Sequence, residues 1–132
     1  MYLLDTNICV YFMSRKYPAV TAKFHAHDPG DLAISAIVAG ELAYGVENSS
    51  RIESNRQSLA AFLGKMQVLA WDEDAIWHFG QHKARLKKAG AKIGELDLLI
   101  GCQALAIGAI MVTNNTREFE RIAGLKLENW AT

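Results

Sequence analysis

The sequence predicts an α/β fold: three layers, α/β/α, around a short, mostly parallel central sheet. Three observations carry that expectation. Short apolar runs of strand length alternate with longer stretches of helical pattern along most of the chain. The strand-like runs are apolar at successive rather than alternate positions, which suits strands covered on both faces. No repeat, linker or low-complexity segment interrupts the alternation, and the 132 residues fit a single domain, 1–132.

The chain opens on MYLLDTN, and the first strand is placed at Tyr2–Asp5. Asn7–Met13 reads as a short helix, and Pro18–His27 as another that starts on a proline, whose backbone is pre-set for a first helical turn. Asp28, Pro29, Gly30 and Asp31 make a turn. Leu32–Ser35 is the second strand, and Ser35 can cap a helix over Ala36–Glu47. A further helix covers Ile52–Lys65, followed by a third strand at Val68–Trp71. Glu73–Ala89 is helical and basic at its end, where cations suit the helix dipole, and Gly90 stops it. Glu95–Ile107 is the most apolar helix, Ala109–Thr113 the fourth strand. A short helix begins within NNTREFERI, and Leu125–Leu127 is placed as an edge strand. In parallel sheets of this kind, sites lie beyond the carboxyl ends of the strands.

Apolar residues make up 51% of the chain and charged residues 21%, an ordinary globular mixture and not a disordered one. Fourteen Lys and Arg balance fourteen Asp and Glu, which argues against coating nucleic acid by bulk charge but leaves room for a local basic patch. No apolar run approaches the ~18–20 residues of a membrane span, and no basic segment followed by an apolar stretch marks a secretory leader. Cys9 and Cys102 form no CxxC pair and read as small buried thiols. The expected location is a reducing cytoplasm.

Four acids stand out by position. Asp5 ends the first strand, where it serves equally as a helix cap or as a site residue. On the Ala36–Glu47 helix, Ile37, Val38, Leu42, Tyr44, Gly45 and Val46 cover one broad side, with Glu41 in its middle. A carboxylate there is costly unless paired or bound to a cation. Asp97 lies in the first turn of the most apolar helix, where the dipole favours an acid. Glu118 follows the fourth strand, and Asn115 three residues earlier gives a capping-box spacing. Thr113 and Asn115 sit where that strand ends and can orient acids or water. Converging carboxylates repel and raise one another's pKa, so a divalent cation is the natural compensation. Hard oxygen donors, with no matched His or Cys set, suit Mg2+ or Mn2+ rather than zinc. His25, His27, His78 and His82 show no spacing matched to the acids.

LLDTN after the opening strand, SAIVAGELAYG, ELDLLIGCQALAIGAIMVTNNTREFERIAGL and the closing ENW together resemble the PIN-domain ribonucleases, and more closely the VapC toxins of bacterial toxin–antitoxin pairs. The resemblance spans essentially the whole chain. It implies a PIN-like fold and a Mg2+-dependent endoribonuclease, Mn2+ substituting, that hydrolyses RNA with an activated water. The family's metal-binding acids map onto Asp5, Glu41 and Asp97, with Glu118 as a fourth catalytic acid; Thr6, Asn7, Thr113 and Asn115 take supporting positions. Many relatives carry an aspartate just after the fourth strand, where this chain has Asn114 and Asn115, so either Glu118 or Asn115 supplies the fourth ligand. A tRNA substrate, in some relatives initiator tRNA cut in its anticodon loop, arrested translation, a homodimer and a VapB-like antitoxin are also implied.

RNA binding needs cations beside the acids. Lys87, Lys88 and Arg117 are the candidates for phosphate contact, within larger groups that include Lys83, Arg85, Lys92, Arg121, Arg51, Arg56 and Lys65. Ile8, Val10, Tyr11 and Phe12 exceed what one buried side of a short helix can use, and Leu59, Phe62 and Leu63 offer a second apolar face, a surface suited to an antitoxin helix. Two other readings compete: an inactive RNA-binding module, and a haloacid-dehalogenase-type phosphatase, which also opens on a strand ending in Asp. The latter needs a second Asp where Asn7 stands.

Overall fold

Neighbouring residues on a strand point to opposite faces, so Leu3 and Leu4 cannot both be hidden by one layer. In the computed structural model, which describes residues 1–132, both are fully buried. Their strand, β1 (Tyr2–Leu4), lies at the centre of a five-stranded sheet with β2 (Leu32–Ser35), β3 (Gln67–Leu69), β4 (Ile110–Val112) and β5 (Leu127–Glu128). The order is β3-β2-β1-β4-β5, and every pair is parallel. Tyr2 is in register with Leu32 on one side and Ile110 on the other. Parallel neighbours require crossovers, and seven helices supply them: α1 (Thr6–Ser14), α2 (Pro18–Ala26), α3 (Ala36–Glu47), α4 (Ile52–Leu63), α5 (Ile76–Ala89), α6 (Glu95–Ile107) and α7 (Thr116–Phe119). The result is the three-layer arrangement the alternation predicts.

The core follows from this layering. Ile34 of β2, Met111 and Val112 of β4, and Ile100, Cys102 and Ala104 of α6 are all fully buried. Trp130, 1% exposed, sits against Tyr2, Phe24 and His27 at ring separations of 5.5, 5.8 and 5.1 Å, so the closing ENW anchors the C-terminus to β1 and α2. Ser35 caps α3 by accepting from the Ile37 N–H at 3.0 Å, a bond worth about 1 kcal/mol. No helix is long and apolar enough to cross a membrane.

Several boundaries differ from expectation for identifiable reasons. The third strand runs Gln67–Leu69, not Val68–Trp71. Trp71 leaves the sheet to donate its indole N–H to the Leu99 carbonyl of α6 at 2.9 Å, and Gln103 donates to the Ala70 carbonyl at 3.0 Å. As an edge strand β3 is not covered on both faces, and Val68 is 43% exposed. The expected Glu73–Ala89 helix begins with a tight 3-10 turn at Glu73–Ala75, because Asp72 caps there by accepting from the Asp74 N–H. Helix α1 starts at Thr6 rather than Asn7, with Asp5 as its cap. The edge strand falls at Leu127–Glu128 instead of Leu125–Leu127. Tyr44, placed on the apolar side of α3, is 69% exposed, whereas Leu59 and Phe62 of α4 are core residues.

Gly101 on α6 faces α7 and the loop after it. A Cβ there would lie 2.4 Å from Ile122 Cδ1 and 3.4 Å from Phe119 and Leu125 side chains. Gly101→Val should therefore destabilise the protein by about 1–3 kcal/mol through overpacking. Ile122→Val, which removes the clashing methyl, should restore part of that loss in the double variant, as read by urea unfolding. Strictly additive single-variant effects would show that the two side chains do not meet.

Candidate active site

The chain leaves β1 at Asp5 and β4 at Thr113. These strands are neighbours, and from them the chain winds outward in opposite directions, to β2 and to β5. The crevice of an open parallel sheet forms at such a switch point, beyond the strand ends. Asp5, only 5% exposed, is fixed on both oxygens: Thr6 N–H donates to Oδ1 at 2.8 Å and the Thr113 hydroxyl to Oδ2 at 2.7 Å. It is thus a helix cap and a crevice residue at once. The Thr113 hydroxyl also accepts from the Asn115 N–H at 2.9 Å. Thr6 in turn donates its hydroxyl to Glu41 Oε1 at 2.9 Å, so one threonine orients two acids from different elements.

Glu118 is held by two donors, the Asn115 side-chain amide at 2.6 Å and the Gly94 N–H at 3.2 Å. The capping box expected from Asn115 and Glu118 does not form, since the Asn115 side chain accepts nothing from α7. A charge-assisted bond to the carboxylate outweighs a cap on a four-residue helix. Asn115 thereby offers Glu118 an N–H rather than an oxygen to the crevice. Asn114, beside it, turns away and donates to the Tyr11 hydroxyl at 2.9 Å. Of the two alternatives for a fourth oxygen donor, the geometry favours Glu118.

Asp97 completes the group from the first turn of α6. Burial, then the charges of Asp5 and Glu118 and of Glu41, push its carboxyl up to about 7. Burial also raises Asp5, against the lowering effect of its bonds from Thr113 and Thr6. Glu118 is held below its usual value, first by the Asn115 amide, so a proton between Glu118 and Asp97 resides on Asp97. None of the ion pairs, Arg56 with Glu47 and Glu53 and Lys83 with Glu95, involves any of these four acids. The donors are all hard oxygens, which fits Mg2+ or Mn2+. No three of them close on one point at ligand distance.

Other predicted residues fall outside this network. Asn7 is exposed on α1 and its side chain bonds to nothing. Lys87, Lys88 and Arg117 are exposed and free of ion pairs. Lys87 lines a cleft of about 370 Å³ with Lys83, Lys92 and Ile93, while Lys88 does not. The Gly94 N–H is a contributor that the sequence could not announce, because a backbone donor has no side-chain signature. Both cysteines are buried and free, with Cys102 pushed up to about 11 by burial, so neither is a nucleophile.

The folded chain holds the Asp97 proton more tightly than the unfolded chain does. The carboxylate therefore destabilises the fold progressively as pH rises from about 4, the unfolded value, to about 7. Asp97→Asn, melted in chelator, should gain more in Tm over the parent at pH 8 than at pH 5. An equal gain at both would rule out the crowding of charge inferred here.

The PIN domain family model matches residues 2–125. The tRNA(fMet)-specific endonuclease VapC of Shigella flexneri is 39% identical over 130 residues, covering 98% of each chain. Ribonuclease VapC2 of Haemophilus influenzae is 40% identical over 129 residues, 98% of this chain and 97% of its own. Among solved structures, VapBC2 from Rickettsia felis bound to a promoter DNA fragment matches with a TM-score of 0.90 at 37% identity, covering 98% of each chain. DNA-bound VapBC from Salmonella typhimurium matches at 0.91 and 36%, covering 98% of this chain and 97% of its own. Sheet order, acidic crevice and full-length similarity agree, and the chain belongs to the PIN-domain family, among its VapC ribonucleases.

Proposed function

We propose that this chain is a Mg2+-dependent endoribonuclease, active also with Mn2+, that cuts tRNA and arrests translation as the toxin of a toxin–antitoxin pair. One observation carries the reading: Asp5, Glu41, Asp97 and Glu118 converge at the switch point with no cationic side chain paired to them. Asp5, Glu41 and Asp97 would hold the ion, with Glu118 completing the acidic set. When bound, such an ion lowers the pKa of a water and offsets charge building on a phosphate. Thr113 and Thr6 keep Asp5 and Glu41 in place, so little reorganisation is needed when substrate arrives. Lys87, with Lys83 and Lys92 around the adjoining cleft, Lys88 and Arg117 bind the RNA phosphates. Because the Shigella flexneri relative is a tRNA(fMet)-specific endonuclease, initiator tRNA is the first substrate to test.

The partner is a VapB-like antitoxin, a reading supported by the VapBC complexes among the similar structures. A groove of about 1030 Å³ suits it, lined by Phe12, Met13, Phe24, Phe62 and Met66 and rimmed by Arg15 and Lys65. Of the apolar residues expected there, Ile8 and Leu59 belong to the core instead, and Phe62, also a core residue, shows the groove only an edge. Trp77, 77% exposed, and Tyr44 give the homodimer an apolar surface to cover.

Purified protein incubated with total tRNA should cut it with Mg2+ or Mn2+ and leave it whole in EDTA, as read by sequencing fragment 5′ ends. Asp5→Ala and Asp97→Ala should abolish cutting while keeping the fold, and Glu118→Gln should have a smaller effect. Thr113→Val, which frees Asp5 Oδ2, should lower activity about 10–100-fold. Cutting in EDTA, or by Asp5→Ala at the parent rate, would overturn the assignment. RNA that is bound but never cut would favour the inactive RNA-binding module.

A further inference from the structure

We propose that Tyr17, stacked on Tyr11, is a platform on which an unpaired RNA base beside the scissile phosphate stacks; this rests on the nuclease reading above. The two rings lie 4.0 Å apart at an angle of 26°. Tyr17 is 39% exposed although one ring neighbour already covers it, so an aromatic surface faces solvent. The pair is tied to the crevice. Asn114 donates to the Tyr11 hydroxyl at 2.9 Å, and the residue before it, Thr113, donates to Asp5. The platform is therefore fixed relative to the acids through one strand end.

The turn that carries Tyr17 is built for rigidity and charge. Arg15 adopts a φ of 60°, the only non-glycine residue in the left-handed region, and closes α1 by donating its N–H to Phe12. Ser14–Pro18 contains no acid, and the exposed Arg15 and Lys16 make no ion pair. An exposed aromatic flanked by unpaired cations, beside a site that handles a phosphodiester, matches how single-stranded RNA is held: bases on rings, phosphates on cations. The opening Asp28–Asp31 turn and the β3 edge offer no such combination of ring, charge and proximity.

Two experiments test this. In steady-state cleavage of tRNA with Mg2+, Tyr17→Ala should raise KM by about 5–100-fold, the range of one lost base stack, with kcat little changed. Tyr17→Phe, which keeps the ring, should match the parent. Independently, a short unstructured RNA with 5-iodouridine throughout, irradiated with the unaltered protein in Ca2+ buffer, should cross-link to the peptide containing Tyr11 and Tyr17. A parent-like KM for Tyr17→Ala, equal impairment of Tyr17→Phe, or cross-links absent or confined to other peptides would overturn the platform. So would an unchanged KM accompanied by weakened antitoxin binding, which would assign the pair to the protein partner. A parent protein that cuts no RNA defeats the nuclease reading instead, whereas a parent that cuts normally beside an indifferent Tyr17→Ala defeats the platform alone.

Discussion

Burial first, and then the pressure of Asp5, Glu118 and Glu41, drives Asp97 towards neutrality, and none of these acids takes part in an ion pair. That unbalanced charge organises its surroundings. Asp5, Glu41 and Glu118 are each held by neutral donors: the Thr6 N–H and hydroxyl, the Thr113 hydroxyl, the Asn115 amide and the Gly94 N–H. Neutral donors soften the repulsion without cancelling it. A lysine or arginine in the same place would relieve the strain and occupy the site.

Such a pocket is tolerable only on a stiff frame. Asp5 hangs from the end of β1, Glu41 from α3, Asp97 from α6 and Glu118 from α7, elements packed on the buried sheet. Helix α6 is additionally clamped from the side by Trp71 and by Gln103, whose amide bonds the backbone after β3. Gln103 Oε1 finds no partner, a further small cost accepted in the interior. Stability is spent at the site and at this clamp and recovered in the core, where Leu3, Ile34, Ile100 and Met111 are wholly enclosed.

The fold was legible because its signals are local. Two-sided apolar strands, Ser35 as a cap and Gly90 as a left-handed stop each act within a few residues. The acids were legible in position, since Asp5 and Asp97 stand at element ends and Glu41 interrupts an apolar arc. What escaped was set by partners distant in sequence. Trp71 reads as strand until α6 offers it a carbonyl, and Tyr44 reads as core until the width of the helix's buried face is known. Asn115 and Glu118 have a capping-box spacing, yet their bonds are decided by Gly94, 24 residues away. The direction of the Asn114 side chain turns on a Tyr11 hydroxyl 103 residues away. No window of sequence holds such information.

The bond from Thr113 to Asp5 spans 108 positions, and β1 takes its second neighbour only from β4. A partly synthesised chain contains Asp5 and Glu41 but lacks the strand that seats one flank of β1 and the hydroxyl that orients its aspartate. The crevice is therefore complete only once the last stretch of polypeptide has been made. The order of synthesis of this crevice is written into the topology, since its two flanks lie at opposite ends of the chain.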